Sequence, residues 1–157
     1  MANIYDDYWK EAAPRIRASV PSEFGGMNTY KERNAFDGRK HSNGIQLSCI
    51  ARIKKPKRIS VGVYFKSSKP EVNEELYERL LKKSEDIRSM LPCKDVSIEQ
   101  ASESGHQPDG GRKQYNVLVS VDMNIQDREK WEECIDFHCT VAKILYEYIF
   151  VNKALLY

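Results

Sequence analysis

Two runs of strict alternation constrain this chain more than any other feature. Ile45, Leu47, Cys49, Ala51 and Ile53 alternate with Gln46, Ser48 and Arg52, and Ile59, Val61, Val63 and Phe65 alternate with Ser60, Gly62 and Lys66. Successive side chains of a strand point to opposite faces, so each run specifies a strand with one buried and one wetter face. Between them lies "KKPKR", residues 54 to 58. Pro56 suits a turn and lacks the amide that a central strand needs. The pair predicts an antiparallel hairpin with a strongly basic tip.

Helical periodicity frames this hairpin. Trp9, Ala13, Ile16 and Val20 recur at three- and four-residue intervals from about Asp6, which predicts an amphipathic first helix that Pro14 kinks or interrupts and Pro21 helps to end. Residues 21–44 hold four glycines and no clear period, and read as a long irregular connection pinned to the core by Phe24, Tyr30 and Phe36. After the hairpin, Ser68 and Glu71 stand in a capping-box relation with Pro70 in the first turn. A helix over 71–91 follows, with Leu76, Leu80, Ile87 and Leu91 on its apolar face and Pro92 closing it. "VSIEQA", residues 96 to 101, predicts a short strand, and Tyr115, Val117, Val119 and Val121 predict a fourth. Asp127 is placed to cap a last helix whose apolar positions run from Trp131 to Ile149. The expected fold is a single α+β domain over 1–157, in the order α-ββ-α-ββ-α. Three helices would cover one face of a mainly antiparallel four-stranded sheet.

Composition excludes several classes. With 41% hydrophobic and 31% charged residues, the 157-residue chain can bury a real core. No apolar run is long enough to span a membrane, and the start lacks a basic region followed by an apolar one, so no membrane partner is expected. Cys49, Cys93, Cys134 and Cys139 lack paired C-x-x-C spacing, which points to a reducing, cytoplasmic setting. The formal charge of +2 conceals an asymmetry: residues 1–66 hold 13 Lys+Arg against 6 Asp+Glu, and residues 67–157 hold 12 against 17. This suggests a basic face and an acidic helical surface elsewhere.

Three segments carry a family resemblance: "YWKEAAPRI", then "GIQLSCIARIKKPKRISVGVYF" followed by "EELYERLLKKSEDI", and finally "DREKWEECIDFHCTVAKILYEYI". On these the chain resembles the bacterial and phage domain-of-unknown-function 4268 family from about Trp9 to Ile149, with the Gly-rich loop at 102–114 as a local departure. Members of that family occur alone or joined to nuclease-like domains in DNA-modification and defence settings. The resemblance implies a role close to nucleic acid and supplies no catalytic set.

The residues themselves favour a non-enzymatic binding module. Lys54, Lys55, Lys57 and Arg58 at the hairpin tip, joined by Arg39, Lys40, Arg112 and Lys113 if folding gathers them, are the candidate phosphate contacts for DNA or RNA. Tyr30, Phe36 or Tyr64 could stack on an unpaired base. A protein-interaction module or inhibitor acting as a homodimer is the alternative, using the acidic helix, the edge strands or the tail "VNKALLY". That tail would otherwise pack into its own domain. A nuclease reading would place Mg²⁺ on Asp109 and Asp122, with Asn124 where such a core needs lysine. A zinc reading would use Cys134, His138 and Cys139 but finds no second pair of ligands, and His138 on an apolar stripe reads first as a core histidine. No cofactor or metal is expected.

Overall fold

The alternating runs form their hairpin in continuous register. The structure is a computed structural model that describes residues 3–26, 34–93, 95–100 and 115–156. Its elements begin with α1 (Ile4–Ser19), α2 (Pro21–Phe24), β1 (Ala35–Lys40), β2 (Ile45–Arg52) and β3 (Arg58–Phe65). They continue with α3 (Pro70–Lys82), α4 (Ser84–Met90), β4 (Ser97–Gln100), β5 (Tyr115–Val121) and α5 (Trp131–Tyr146), which runs into a π turn at Glu147–Val151. The five strands form one sheet in the order β1-β2-β3-β5-β4, and every neighbouring pair is antiparallel.

Register places the apolar residues. Val61 lies between Cys49 and Val119, and Ile59 between Ala51 and Val121. The inward set Leu47, Cys49, Ile59, Val61, Val63, Val117 and Val119 is buried beneath the helices. Helix α5 packs on β2 and β3, α3 on β3 and β5, and α2 on β1. The opposite face is polar and pairs within itself: Ser48 Oγ donates to Asp37 at 2.6 Å, and the Ser60 and Ser120 hydroxyls meet at 2.7 Å. Both serines of that second pair are buried, and a mutual hydrogen bond offsets their desolvation.

One polar chain crosses the core. Tyr8 Oη donates to His138 Nδ1 at 2.7 Å, and His138 Nε2 donates to the Ile50 carbonyl at 3.0 Å. This links α1, α5 and β2. His138 has no exposed surface, and both ring nitrogens are occupied, as the core-histidine reading requires.

Several sequence expectations are corrected. Among the described residues the sheet has five strands where four were expected, and there are five α-helices where three were expected. The connection at 21–44 contains α2 and the edge strand β1. Phe24 and Phe36 stack there at 5.3 Å as buried anchors, whereas Tyr30 lies outside the described residues. Pro14 does not interrupt α1. Pro14 and Lys10 are both exposed, so the Lys10 carbonyl that loses its amide partner faces water. The helix at 71–91 divides at Lys83, where Ser84 Oγ takes the Leu81 carbonyl at 2.6 Å and competes with the helical ladder. The Ser68 capping box is absent. Lys69 occupies the cap position without a side-chain bond, and the Asn73 side chain instead bridges the Ser67 amide and carbonyl. Asp127 likewise makes no side-chain cap; it precedes a 3-10 turn at Arg128–Lys130. In the tail, Leu155 is buried and its carbonyl accepts from Arg79 at 2.7 Å, so this residue packs into its own chain.

Two measurements test this architecture. Burial depresses the His138 pKa from 6.5 to about 4, so the imidazole stays neutral in the fold but ionises once unfolded. The unfolded state then binds the extra proton, and stability is lost as pH falls from 6.5 toward 4, by up to about 1.4 kcal/mol per pH unit. Urea denaturation across that window will show a shallower decline in His138→Gln. Gly44 has φ +86°, and a Cβ there would sit 2.2 Å from the Ser67 amide nitrogen. Gly44→Ala is expected to lower stability by more than about 1 kcal/mol in the same assay.

Candidate nucleic-acid interface

The turn between β2 and β3 carries its charges into solvent. Lys54, Lys55 and Lys57 are exposed, and no described carboxylate pairs with any of them. Below them, Arg52 donates to the Lys55 carbonyl at 2.8 Å and braces the turn from the strand end. The Lys55–Pro56 peptide is cis. Three ammonium groups thus project from a stem whose every residue from Ile45 to Phe65 outside the turn is paired.

Arg58 behaves differently from its neighbours. It is the first residue of β3, its guanidinium bonds Glu99 on β4, and its Nε lies 3.6 Å from Asp122 Oδ1 just past β5. The side chain is 29% exposed. Held by two acids, it joins β3 to β4 across β5.

Of the remaining basic candidates, Arg39 and Lys40 do not gather at this tip. Lys40 is opposite Gln46, six residues along β2 from Arg52, which puts Arg39 and Lys40 ~20 Å away at the other end of the sheet. Arg112 and Lys113 lie outside the described residues. Phe36 is fully buried and unable to meet a base. Tyr64 lies on the polar face with Lys66 Nζ 5.2 Å above its ring, and burial pushes its phenol up to about 12.

An acidic cleft adjoins the basic turn. Its volume is about 670 Å³, and it is lined by Asp95, Asp122, Asp127 and Glu133, with Cys93, Met123 and Lys130 among the other lining groups. Asp122 is shared between this cleft and Arg58. Of the nuclease set, Asp109 lies outside the described residues, and Asn124 Oδ1 accepts the Gln126 amide at 3.0 Å in a local turn. Among the described residues no group of three or more His, Cys, Asp or Glu side chains is arranged to hold a metal ion. Cys134 lies 3.9 Å from the Met123 sulfur, and burial pushes its thiol up to about 11.

Sequence reasoning found the lysines but missed two arrangements. The cleft needs the ends of β5 and α5 brought beside the α4–β4 connection. A second cluster, Glu23 with His41 and Arg39, joins α2 to the end of β1. No local spacing announces either, because each depends on contacts between distant segments.

The Arg58 geometry gives a direct test. Because both partners are about one-third exposed, solvent screening limits the pair, and a double-mutant cycle of Arg58→Gln with Glu99→Gln is expected to show about 1 kcal/mol of coupling in urea denaturation.

No curated protein and no solved structure shows significant similarity to the chain. A family does: residues 4–151 match the one described as Domain of unknown function (DUF4268), an extent that runs from the start of α1 to the end of the π turn. The chain therefore belongs to the DUF4268 family.

Proposed function

We propose that the chain is a non-enzymatic nucleic-acid-binding module, serving a modification or defence system, that contacts the phosphate backbone through Lys54, Lys55 and Lys57. The observation that carries this reading is the absence of any described carboxylate partner for three exposed lysines on a fully paired hairpin. Each lysine that neutralises a phosphate releases condensed counterions, and three acting together give a collective, salt-sensitive attraction. Arg58 contributes to the scaffold that holds the turn, since its charge is already shared with Glu99 and Asp122. The adjoining cleft repels phosphate and so confines a polyanion to the side of this end of the sheet that carries the projecting basic turn.

Binding of short duplex and single-stranded DNA and RNA, measured across a salt series, tests the proposal. A variant with Lys54, Lys55 and Lys57 changed to Ser should lose most affinity, and the salt slope on duplex should fall by about 0.9 per contact removed. Arg58→Gln should leave that slope unchanged while lowering stability. No binding at low salt, or equal binding by the triple variant, would reject the phosphate-contact role and favour a protein-interaction module.

A further inference from the structure

The basic turn between β2 and β3 carries positive charge but little that reads a base. Two arginines flank its lysines, and both are engaged within the chain. Arg52 Nη2 donates to the Lys55 carbonyl at 2.8 Å, so this guanidinium lies along its own turn. Arg58 bonds Glu99, and its Nε lies 3.6 Å from Asp122. The commonest specific contact in a major groove sets an arginine fork, or a lysine, against the edge of guanine. Neither flanking arginine offers its whole fork without loosening a contact that the fold makes. Lys54, Lys55 and Lys57 are what remains at the tip, each a point charge on a flexible stem.

A lysine reaches a guanine edge only from inside the groove, and the stem beneath these three is short. The registered partners of the hairpin end at Ile50 on the β1 side and at Ile59 on the β5 side. Only the pair Arg52 and Arg58 stands clear of both flanking strands in register. A two-stranded ribbon reads bases by lying in a major groove about 8.5 Å deep, and one pair of residues offers no such length. Nor does the turn hold a ring, since "ARIKKPKRIS", residues 51 to 60, contains no aromatic residue. Tyr64 is six residues along β3 from Arg58, ~20 Å from it. Proteins that hold unpaired strands rely on stacking bases against such rings. A double helix instead keeps its bases stacked inside and turns its phosphates outward.

Resting on the phosphate-contact role proposed above, we infer that the basic turn binds double-helical nucleic acid of any sequence, through the phosphate backbone alone and without reading a base. Duplex is the favoured form because it carries about one charge per 1.7 Å of axis, twice the linear density of one strand. Lys54, Lys55 and Lys57 lie within four residues of one another and meet neighbouring phosphates of that backbone together. Each such contact positions the protein and is indifferent to the base behind the phosphate. The engaged state of Arg52 and Arg58 is what withholds base readout from a turn that is otherwise rich in donors.

Fluorescence anisotropy of labelled probes of equal length, titrated with the intact protein at ~20 mM salt, tests this. The probes are GC-rich, AT-rich and mixed-sequence DNA duplexes, an RNA duplex, and the single strands of the mixed sequence. The three DNA duplexes should bind within about twofold of one another, whereas one base-reading pair would separate them by about fivefold or more. For three contacts, counterion release alone should favour duplex over single strand by roughly tenfold at this salt. Linear inorganic polyphosphate, which carries the charge and no bases, should displace the bound duplex. The Lys54, Lys55 and Lys57 triple Ser variant is measured on every probe. A preference above about fivefold among the DNA duplexes or between DNA and RNA duplexes would overturn the inference, as would single strands that bind as tightly as duplex. In those cases, loss of binding in the triple variant would leave the phosphate-contact role standing. No binding of any probe, or equal binding by the triple variant, would overturn both.

Discussion

Register between β2 and β3 is the constraint on which the other features depend. Eight consecutive pairs, from Ile45 opposite Phe65 to Arg52 opposite Arg58, fix which side chains enter the core. A slip of one residue would turn Ile59, Val61, Val63 and Phe65 onto the polar face and bring Ser60 and Tyr64 beneath the helices. The burial of those four apolar residues therefore disfavours the slipped state by several kcal/mol, at about 2 kcal/mol for each buried aliphatic side chain. The same register aims the basic turn. Lys54, Lys55 and Lys57 project beyond the sheet because both strands beneath them end in phase.

Several polar groups inside this framework are satisfied in pairs or short chains, whereas the buried Arg58 Nε has no hydrogen-bond partner among the described residues. Tyr8 and His138 close a chain onto the Ile50 carbonyl, and Ser60 meets Ser120 across the β3–β5 ladder. Glu23 follows the same logic at greater cost, since a carboxylate loses far more hydration than a hydroxyl does. Its single side-chain partner among the described residues, His41, is in turn clamped by Phe150 at the end of the π turn. The extra residue of that turn closes with the Asn152 amide on the Glu147 carbonyl at 2.8 Å. A buried acid, an oriented imidazole and the widened helix end thus form one connected unit.

Much of this fold is legible in the sequence because its periods are strong. The β2–β3 hairpin, β5 and α5 each repeat an apolar residue at two- or four-residue spacing for several turns or pleats. Strand β1 is hidden because "AFDGRK" places Phe36 and Gly38 on the inward side, so one apolar side chain stands for a whole face. A register shift between Asp37 and Lys40 also breaks its alternation. The division of the third helix at Lys83 leaves no mark on its apolar stripe, since Leu80 and Ile87 stay on one side through the break. At the candidate interface, the lysines are legible as a run, whereas the fate of Arg58 rests on Glu99, which is 41 residues away in the chain.

That last contact explains how charge so unevenly divided along the sequence is distributed in space. The basic first 66 residues and the acidic remainder are interleaved, because β5 inserts beside β3 and α5 packs across β2 and β3. Arg15 meets Glu132 and Asp136, Arg58 meets Glu99 and Asp122, and in the reverse sense Asp7 meets Arg128. Folding neutralises these charges pairwise, mostly at exposed positions where each bond adds little stability. The consequence lies in what is left over. Lys54, Lys55 and Lys57 at one end of the sheet, with Arg39 and Lys40 at the other, have no described carboxylate partner after the halves have combined. Much of the first half's excess of positive charge is thus paired on folding, and among the first-half cations without a described carboxylate partner these two sets stand at strand ends, where their fields add.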